Sequence, residues 1–213
     1  MDLGLTDKVA VITGGTAGIG LATAKQFLAE GCQVAICGRR QETLDKALAQ
    51  LGPWAFGIPA DVTIEAQVYA FAKAVKQHFG HIDVWVNNVG ASFAREEEWY
   101  TVEEIDRHYE VNFKSMVMGC QTAVPYLEKQ GGVIVNVASL AARCATSGRA
   151  TLYGAMKAAV VNYTNTFAGE VASRGIRVVS ILPGFTLTPL VEATISPGEL
   201  EKQVKQCLLR RAA

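Results

Sequence analysis

The chain has 213 residues, half of them hydrophobic, with 20 glycines, 5 cysteines and 20 basic against 20 acidic side chains. At about 100–200 residues per domain this length suits one compact domain, and its apolar content builds a sizeable core and argues against disorder. Zero formal charge offers no field for nucleic acid or an anionic membrane, irregularly spaced cysteines without a C-x-x-C pair argue against a zinc site or disulfide framework, and no apolar run approaches the ~18 residues of a membrane span.

Residues 8–13 read as a buried strand, and a glycine-rich turn leads into a helix over 18–30. Gly31 closes that helix, because glycine tolerates positive φ without a Cβ clash. Residues 33–37 form the second strand, and 41–51 a helix that Gly52-Pro53 stops. The beat repeats with strand 55–59, helix 64–79 closed by Gly80, strand 82–86 and a largely helical stretch over 102–126. Gly131-Gly132 precedes a strand over 133–137, a helix runs over 152–173, and 177–182 is the sixth strand. Strands without polar alternation are buried on both faces, the mark of a parallel sheet covered by helices. The expectation is α/β: a Rossmann-type doubly wound parallel sheet, one domain over residues 1–213. Reduced thiols and charges at Asp2, Asp7 and Lys8, which leave no secretory segment, point to a soluble cytoplasmic protein.

Thr13-Gly-Gly-Thr-Ala-Gly-Ile-Gly20 sits at the first strand-to-helix junction. Phosphate binding needs backbone N–H groups in close approach and a helix N-terminus aimed at the anion. The glycines Gly14, Gly18 and Gly20 do not match G-x-G-x-x-G, and the lysine of a nucleoside-triphosphate loop is missing. A tight turn that uses glycine only for packing explains the cluster equally well when it is taken alone. Its place at the carboxyl end of the first strand favours a ligand, since doubly wound sheets bind there. The second strand ends Cys37-Gly38-Arg39-Arg40, with no carboxylate for ribose hydroxyls. Two guanidinium groups suit a 2′-phosphate, so NADP(H) is expected over NAD(H), against the alternative of two solvated loop arginines.

Tyr153 and Lys157 lie four apart on a helix and share one face. A phenol titrates near 10 and exchanges protons poorly at neutrality, whereas a neighbouring ammonium favours its anion. Tyr-x-x-x-Lys alone is a common surface pair. Ser139 gives it a context, because it follows the fifth strand at the ligand-binding edge and can donate to a carbonyl oxygen. Asn112, inside a helix among apolar neighbours, is either a satisfied core amide or the holder of a water.

Together these motifs resemble the short-chain dehydrogenase/reductase family along nearly the whole chain. The glycine turn looks like its T-G-x-x-x-G-x-G loop, Asp61-Val62 like its adenine-contacting segment, and Asn87-Asn88-Val89-Gly90 like its N-N-A-G turn with Val for Ala. Asn112, Ser139, Tyr153 and Lys157 fall where the family keeps its catalytic tetrad, and the run from Pro183 to Thr188 is similar to its P-G segment beside the nicotinamide. The resemblance implies Tyr153 as acid or base, Lys157 holding the nicotinamide ribose and lowering the phenol's pKa, Ser139 polarising the carbonyl and Asn112 ordering a water. Cofactor contacts are implied for Gly14, Thr16, Gly18, Ile19, Gly20, Arg39, Arg40, Asp61, Val62, Asn87, Pro183, Gly184, Thr186 and Thr188, besides Tyr153 and Lys157. The implied activity is NADP(H)-dependent transfer of a hydride to or from a small carbonyl or alcohol, by a homodimer or homotetramer. Two alternatives stay open: a 3-oxoacyl carrier-protein reductase, and a non-catalytic nucleotide-sensing or scaffolding protein. Another helix is expected to begin at residues 209–213, and family members continue to a last strand, so the sheet is expected to lack that strand.

The other candidates read blandly. His78 and His81 look like solvated loop residues and His108 like a helix-face residue, with no metal ligands nearby. Glu96, Glu97 and Glu98 read as a solvated face, and Trp54, Trp85 and Trp99 as core or pocket rim. Phe93, Trp99 and Tyr100 are candidates to line a substrate cleft, with Phe185 and residues 187–195 as a lid over it.

Overall fold

The structure, a computed structural model, describes residues 2–93, 95, 97–144, 151–207 and 210–213. Strands β1 (Val9–Thr13), β2 (Gln33–Gly38), β3 (Ala55–Pro59), β4 (Val84–Asn87), β5 (Gly132–Val137) and β6 (Ile176–Ile181) alternate with helices. They pair in parallel in the order β3-β2-β1-β4-β5-β6. The order reverses direction between β1 and β4, and there the carboxyl ends of the strands open a crevice.

Hydrophobic periodicity explains the two layers. Alternate strand residues Val9, Val11, Trp85 and Ile134 pack against α3 (Glu65–Phe79), α5 (Ser115–Leu127) and α6 (Thr151–Val171). Their neighbours Ala10, Ile12, Val84 and Val86 pack against α1 (Gly18–Ala29) and α2 (Gln41–Leu51). All of β1 is buried, as a central strand covered on both faces must be. Gly31 and Gly80 close α1 and α3 at φ of +84° and +85°, in the left-handed region that glycine enters freely.

Several expectations need correction. The helical stretch over 102–126 is in fact α4 (Val102–Tyr109), a π-helical turn (Glu110–Lys114) and α5. Beyond β6, two helices not foreseen follow: α7 (Pro189–Thr194), capped by Thr188 Oγ1 with Pro189 opening it, and α8 (Pro197–Gln206). Trp85 is core, but Trp54 and Trp99 are 64% and 75% exposed. His78 lies on α3, stacked on Phe56, and His108 is fully buried. Glu96 and residue 209 lie outside the described residues, and residues 210–213, where another helix was expected to begin, are not helical. No helix among the described residues is long and apolar enough to cross a membrane.

Candidate active site

The site starts at the glycine turn between β1 and α1. Gly14 and Gly18 adopt φ of +65° and +52°, where a side chain is strained. A Cβ on Gly20 would stand 2.4 Å from the Gly14 carbonyl oxygen, and one on Gly15 the same distance from Ile36. The turn therefore exists because side chains are missing from it. Helix α1 opens at Ala17 with no side-chain cap and no acidic residue in its first turn. Its leading N–H groups thus have no side-chain acceptor, and its positive end favours an anion. This cradle fits a pyrophosphate.

Asn88 holds the turn from behind. Its Nδ2 donates to Thr13 O at 3.0 Å and Gly14 O at 3.2 Å, and its backbone N–H donates to Thr13 Oγ1. The side chain of Asn87 points the other way, accepting from Trp85 Nε1 at 2.8 Å and donating to Asn136 Oδ1 at 2.9 Å. Only the backbone of Asn87 is left for a ligand; Asn88 is the residue the sequence reading passed over.

At the other flank, a Cβ on Gly38 would meet Thr16 Cγ2 at 2.6 Å, so the turn touches the end of β2. Arg39 and Arg40 follow directly, both exposed, and among the described residues neither joins an ion pair. Asp61 Oδ1 accepts from the N–H and hydroxyl of Thr63, which steers the chain into α3; Val62 is buried beside it. Thr188 closes the mouth, with Cγ2 3.3 Å from where a Gly18 Cβ would lie. Ile19 sits half-buried in the first turn of α1.

The chemistry gathers one strand over. Ala138 N–H donates to Ile181 O at 2.8 Å and Leu140 N–H to Pro183 O at 2.9 Å, so the β5–β6 ladder continues past both strands. This holds Ser139 beside Pro183 and Gly184, while Thr186 Oγ1 braces the segment by donating to Gly184 O. Helix α6 comes close because Gly154 has no side chain: a Cβ there would be 3.0 Å from Ala141 O. Tyr153, its neighbour, thereby comes up against Ser139, whose hydroxyl favours the phenolate. One turn on, the buried Lys157 donates from Nζ to Val137 O at 2.8 Å, and Nζ stands 5.7 Å from the centre of the Tyr153 ring. Gly90 makes room, since its Cβ would be 2.7 Å from Nζ and 3.1 Å from Asn112 Oδ1.

Burial brings the Lys157 ammonium down to about 8. Burial also pushes the Tyr153 phenol above its ordinary value, and the neighbouring Ser139 hydroxyl offsets part of that rise. The expected depression of the phenol by Lys157 is therefore not found in the chain by itself: the ammonium is turned to a backbone carbonyl, and desolvation outweighs it. What the corner holds is a phenol that keeps its proton at neutrality.

Asn112 is the satisfied amide of the two alternatives. Its Nδ2 donates to Ala91 O at 2.8 Å and His108 O at 3.1 Å, and its Oδ1 accepts from Ala91 N–H at 2.9 Å. Because its side chain takes the His108 carbonyl, the helix widens there into the π-turn. One lone pair of Oδ1 is what its side chain can still offer a water. Among the described residues no cluster of His, Cys, Asp or Glu is arranged for a metal.

Comparisons agree with this geometry. The family model for short chain dehydrogenase matches residues 8–197. An uncharacterised oxidoreductase of Staphylococcus epidermidis is 40% identical over 189 residues, which cover 88% of this chain and 82% of that protein. Oxidoreductase asL5 of Sarocladium schorii is 34% identical, covering 97% and 83%. Among solved structures, an actinorhodin polyketide ketoreductase variant with NADPH superposes with a TM-score of 0.90 at 29% identity, covering 97% of this chain and 85% of that one. The 3-ketoacyl-(acyl-carrier-protein) reductase of Brucella melitensis, complexed with NADH, gives 0.89 at 31% identity, covering 98% and 86%.

Proposed function

Because this chain belongs to the short-chain dehydrogenase family, an oxidoreductase family, we propose that it is an NADP(H)-dependent enzyme that interconverts a small carbonyl compound and its alcohol. The observation that carries this reading is the half-buried Tyr153 set against Ser139, with the buried Lys157 one turn away, at the same sheet edge as the glycine turn. Bound NADP(H) supplies or accepts the hydride at its nicotinamide ring. The residues that would hold it are Gly14, Thr16, Gly18, Ile19 and Gly20 at the pyrophosphate, Asp61, Val62 and the Asn87 backbone toward the adenosine, and Pro183, Gly184, Thr186 and Thr188 with Lys157 at the nicotinamide end.

In the reducing direction Ser139 Oγ donates a hydrogen bond to the substrate carbonyl oxygen and draws charge toward it. Tyr153 Oη gives that oxygen its proton as the alkoxide forms, which is general-acid catalysis. The Lys157 ammonium steadies the phenolate left behind, and Asn112 orders water that returns the proton. Arg39 and Arg40, exposed at the end of β2 and outside any ion pair among the described residues, favour a 2′-phosphate and hence NADP(H) over NAD(H).

A second reading, reduction of 3-oxoacyl carrier-protein thioesters, draws on the likeness to the Brucella reductase. We further propose a cytoplasmic homodimer or homotetramer, which sedimentation velocity checks.

The test is to incubate the protein with NADPH or NADH and a panel of ketones, aldehydes and a 3-oxoacyl thioester, following loss of the reduced nicotinamide. NADPH consumption at least about ten-fold more efficient than NADH consumption is expected from two charge-assisted bonds. A protein inert toward every carbonyl rejects the enzymatic reading and leaves nucleotide sensing or scaffolding; equal efficiencies reject the cofactor preference.

A further inference from the structure

His108 takes no part in the proton transfer above, yet it is fully buried and lies one turn before Asn112. An imidazole out of reach of water must find partners for both ring nitrogens inside the protein. Nδ1 lies 2.7 Å from Glu104 O, which can only accept, so that nitrogen carries the hydrogen. Nε2 is then an acceptor, and it faces the Phe93 N–H at 3.4 Å. The imidazole also packs edge-on to Phe93 and Tyr100, with ring centres 5.1 Å and 5.9 Å away. The Arg107 guanidinium covers the Phe93 ring at 3.9 Å.

These contacts continue a series along the loop that leaves β4. Gly90 abuts Lys157 Nζ, Ala91 is held at both backbone groups by Asn112, and Phe93 is held by His108. Two side chains one helical turn apart thus fix successive parts of one loop, the first beside the catalytic lysine and the second two residues further out. These aromatic rings belong to the same loop whose Gly90 lies against Lys157.

We propose that His108 is a positioning residue for substrate: neutral, with its hydrogen on Nδ1, it anchors Phe93 and Tyr100 as the wall against which carbonyl compounds bearing a bulky apolar group are oriented. The inference rests on the reading of the site as a carbonyl reductase. A glutamine at 108 puts an acceptor oxygen near the place of Nε2, whereas asparagine reaches only the place of Nδ1 and leaves the Phe93 N–H bare.

The test is steady-state kinetics with an aryl ketone and with a small aliphatic ketone. Loss of one hydrogen bond should raise KM for the aryl ketone about ten-fold in His108→Asn, with kcat and NADPH affinity within about two-fold of the parent. His108→Gln should recover most of this, and the small ketone should be little affected. Chymotryptic cleavage after Phe93 should quicken in His108→Asn and not in His108→Gln. If His108→Asn does not fold, Phe93→Ala, in a half-buried loop, decides the matter through the same selective rise in KM. An unchanged KM in these variants, or a fall in kcat equal for both ketones, overturns the proposal while the enzymatic reading stands. A parent protein inert toward both ketones and every other carbonyl overturns the two together.

Discussion

At the glycine turn the contacts that matter are with atoms of the chain itself: a Cβ on Gly20 would lie 2.4 Å from the Gly14 oxygen and 2.5 Å from Asn88 Nδ2. At the Ser139–Tyr153–Lys157 corner the contacts are between functional groups, a phenol on a hydroxyl and an ammonium on a carbonyl. The first region is a shape, and any added atom spoils it. The second is a balance of charge and hydrogen bonding, and it survives changes that keep volume but not changes that remove an oxygen or a charge. Binding and turnover should therefore come apart under mutation, each region failing in its own way.

The largest expected effect is at the corner. Tyr153→Phe keeps the ring and removes the acid, so kcat should fall about a thousand-fold, while fluorescence titration finds NADPH binding intact; loss of binding would erase the contrast between the regions. Gly20→Ala is the converse. Overpacking of 1–3 kcal/mol should weaken NADPH binding by roughly ten- to a hundred-fold and lower the melting temperature. Bound NADPH at parental affinity in that variant would show that the turn is not filled as described. Arg39→Asp sharpens the picture further: NADPH use should drop about ten- to a hundred-fold with NADH use retained, measured as the ratio of the two kcat/KM values.

The smallest effect is with pH. Lys157 titrates at about 8, below its ordinary 10.5, because burial disfavours the ammonium. Its charge is thus present below that pH and lost above it, while Tyr153, shifted upward, keeps its proton. Reductive kcat/KM should decline above about pH 8, by roughly ten-fold over the next unit or so, and Lys157→Arg, which stays charged, should abolish that decline. A limb that persists in Lys157→Arg would assign the titration elsewhere.

Much of this was open to a reader of the residues. The unbroken apolar run of β1, the glycines that close α1 and α3, and the Tyr-x-x-x-Lys spacing each report a local constraint that folding must satisfy. What stayed hidden depends on partners distant in sequence. Nothing local distinguishes Asn87 from Asn88, but strand alternation sends one into the core and the other to the turn. Gly154 looks like a weak helix residue until Ala141 is seen against it. Helix α4 inverts its pattern, with Val102, Ile105 and Tyr109 exposed and His108 inside, so periodicity points the wrong way. The raised phenol is likewise a matter of burial that spacing alone does not carry. Helix α7, by contrast, had a readable start in Thr188-Pro189, a capping residue followed by proline.

Deuterium transfer is the sharpest test of the whole account. With NADPH deuterated at the nicotinamide carbon that gives up hydride, the alcohol product should carry the label on its carbinol carbon, and Tyr153→Phe should form almost none. Unlabelled alcohol, or labelled alcohol formed by Tyr153→Phe at the parental rate, would contradict it.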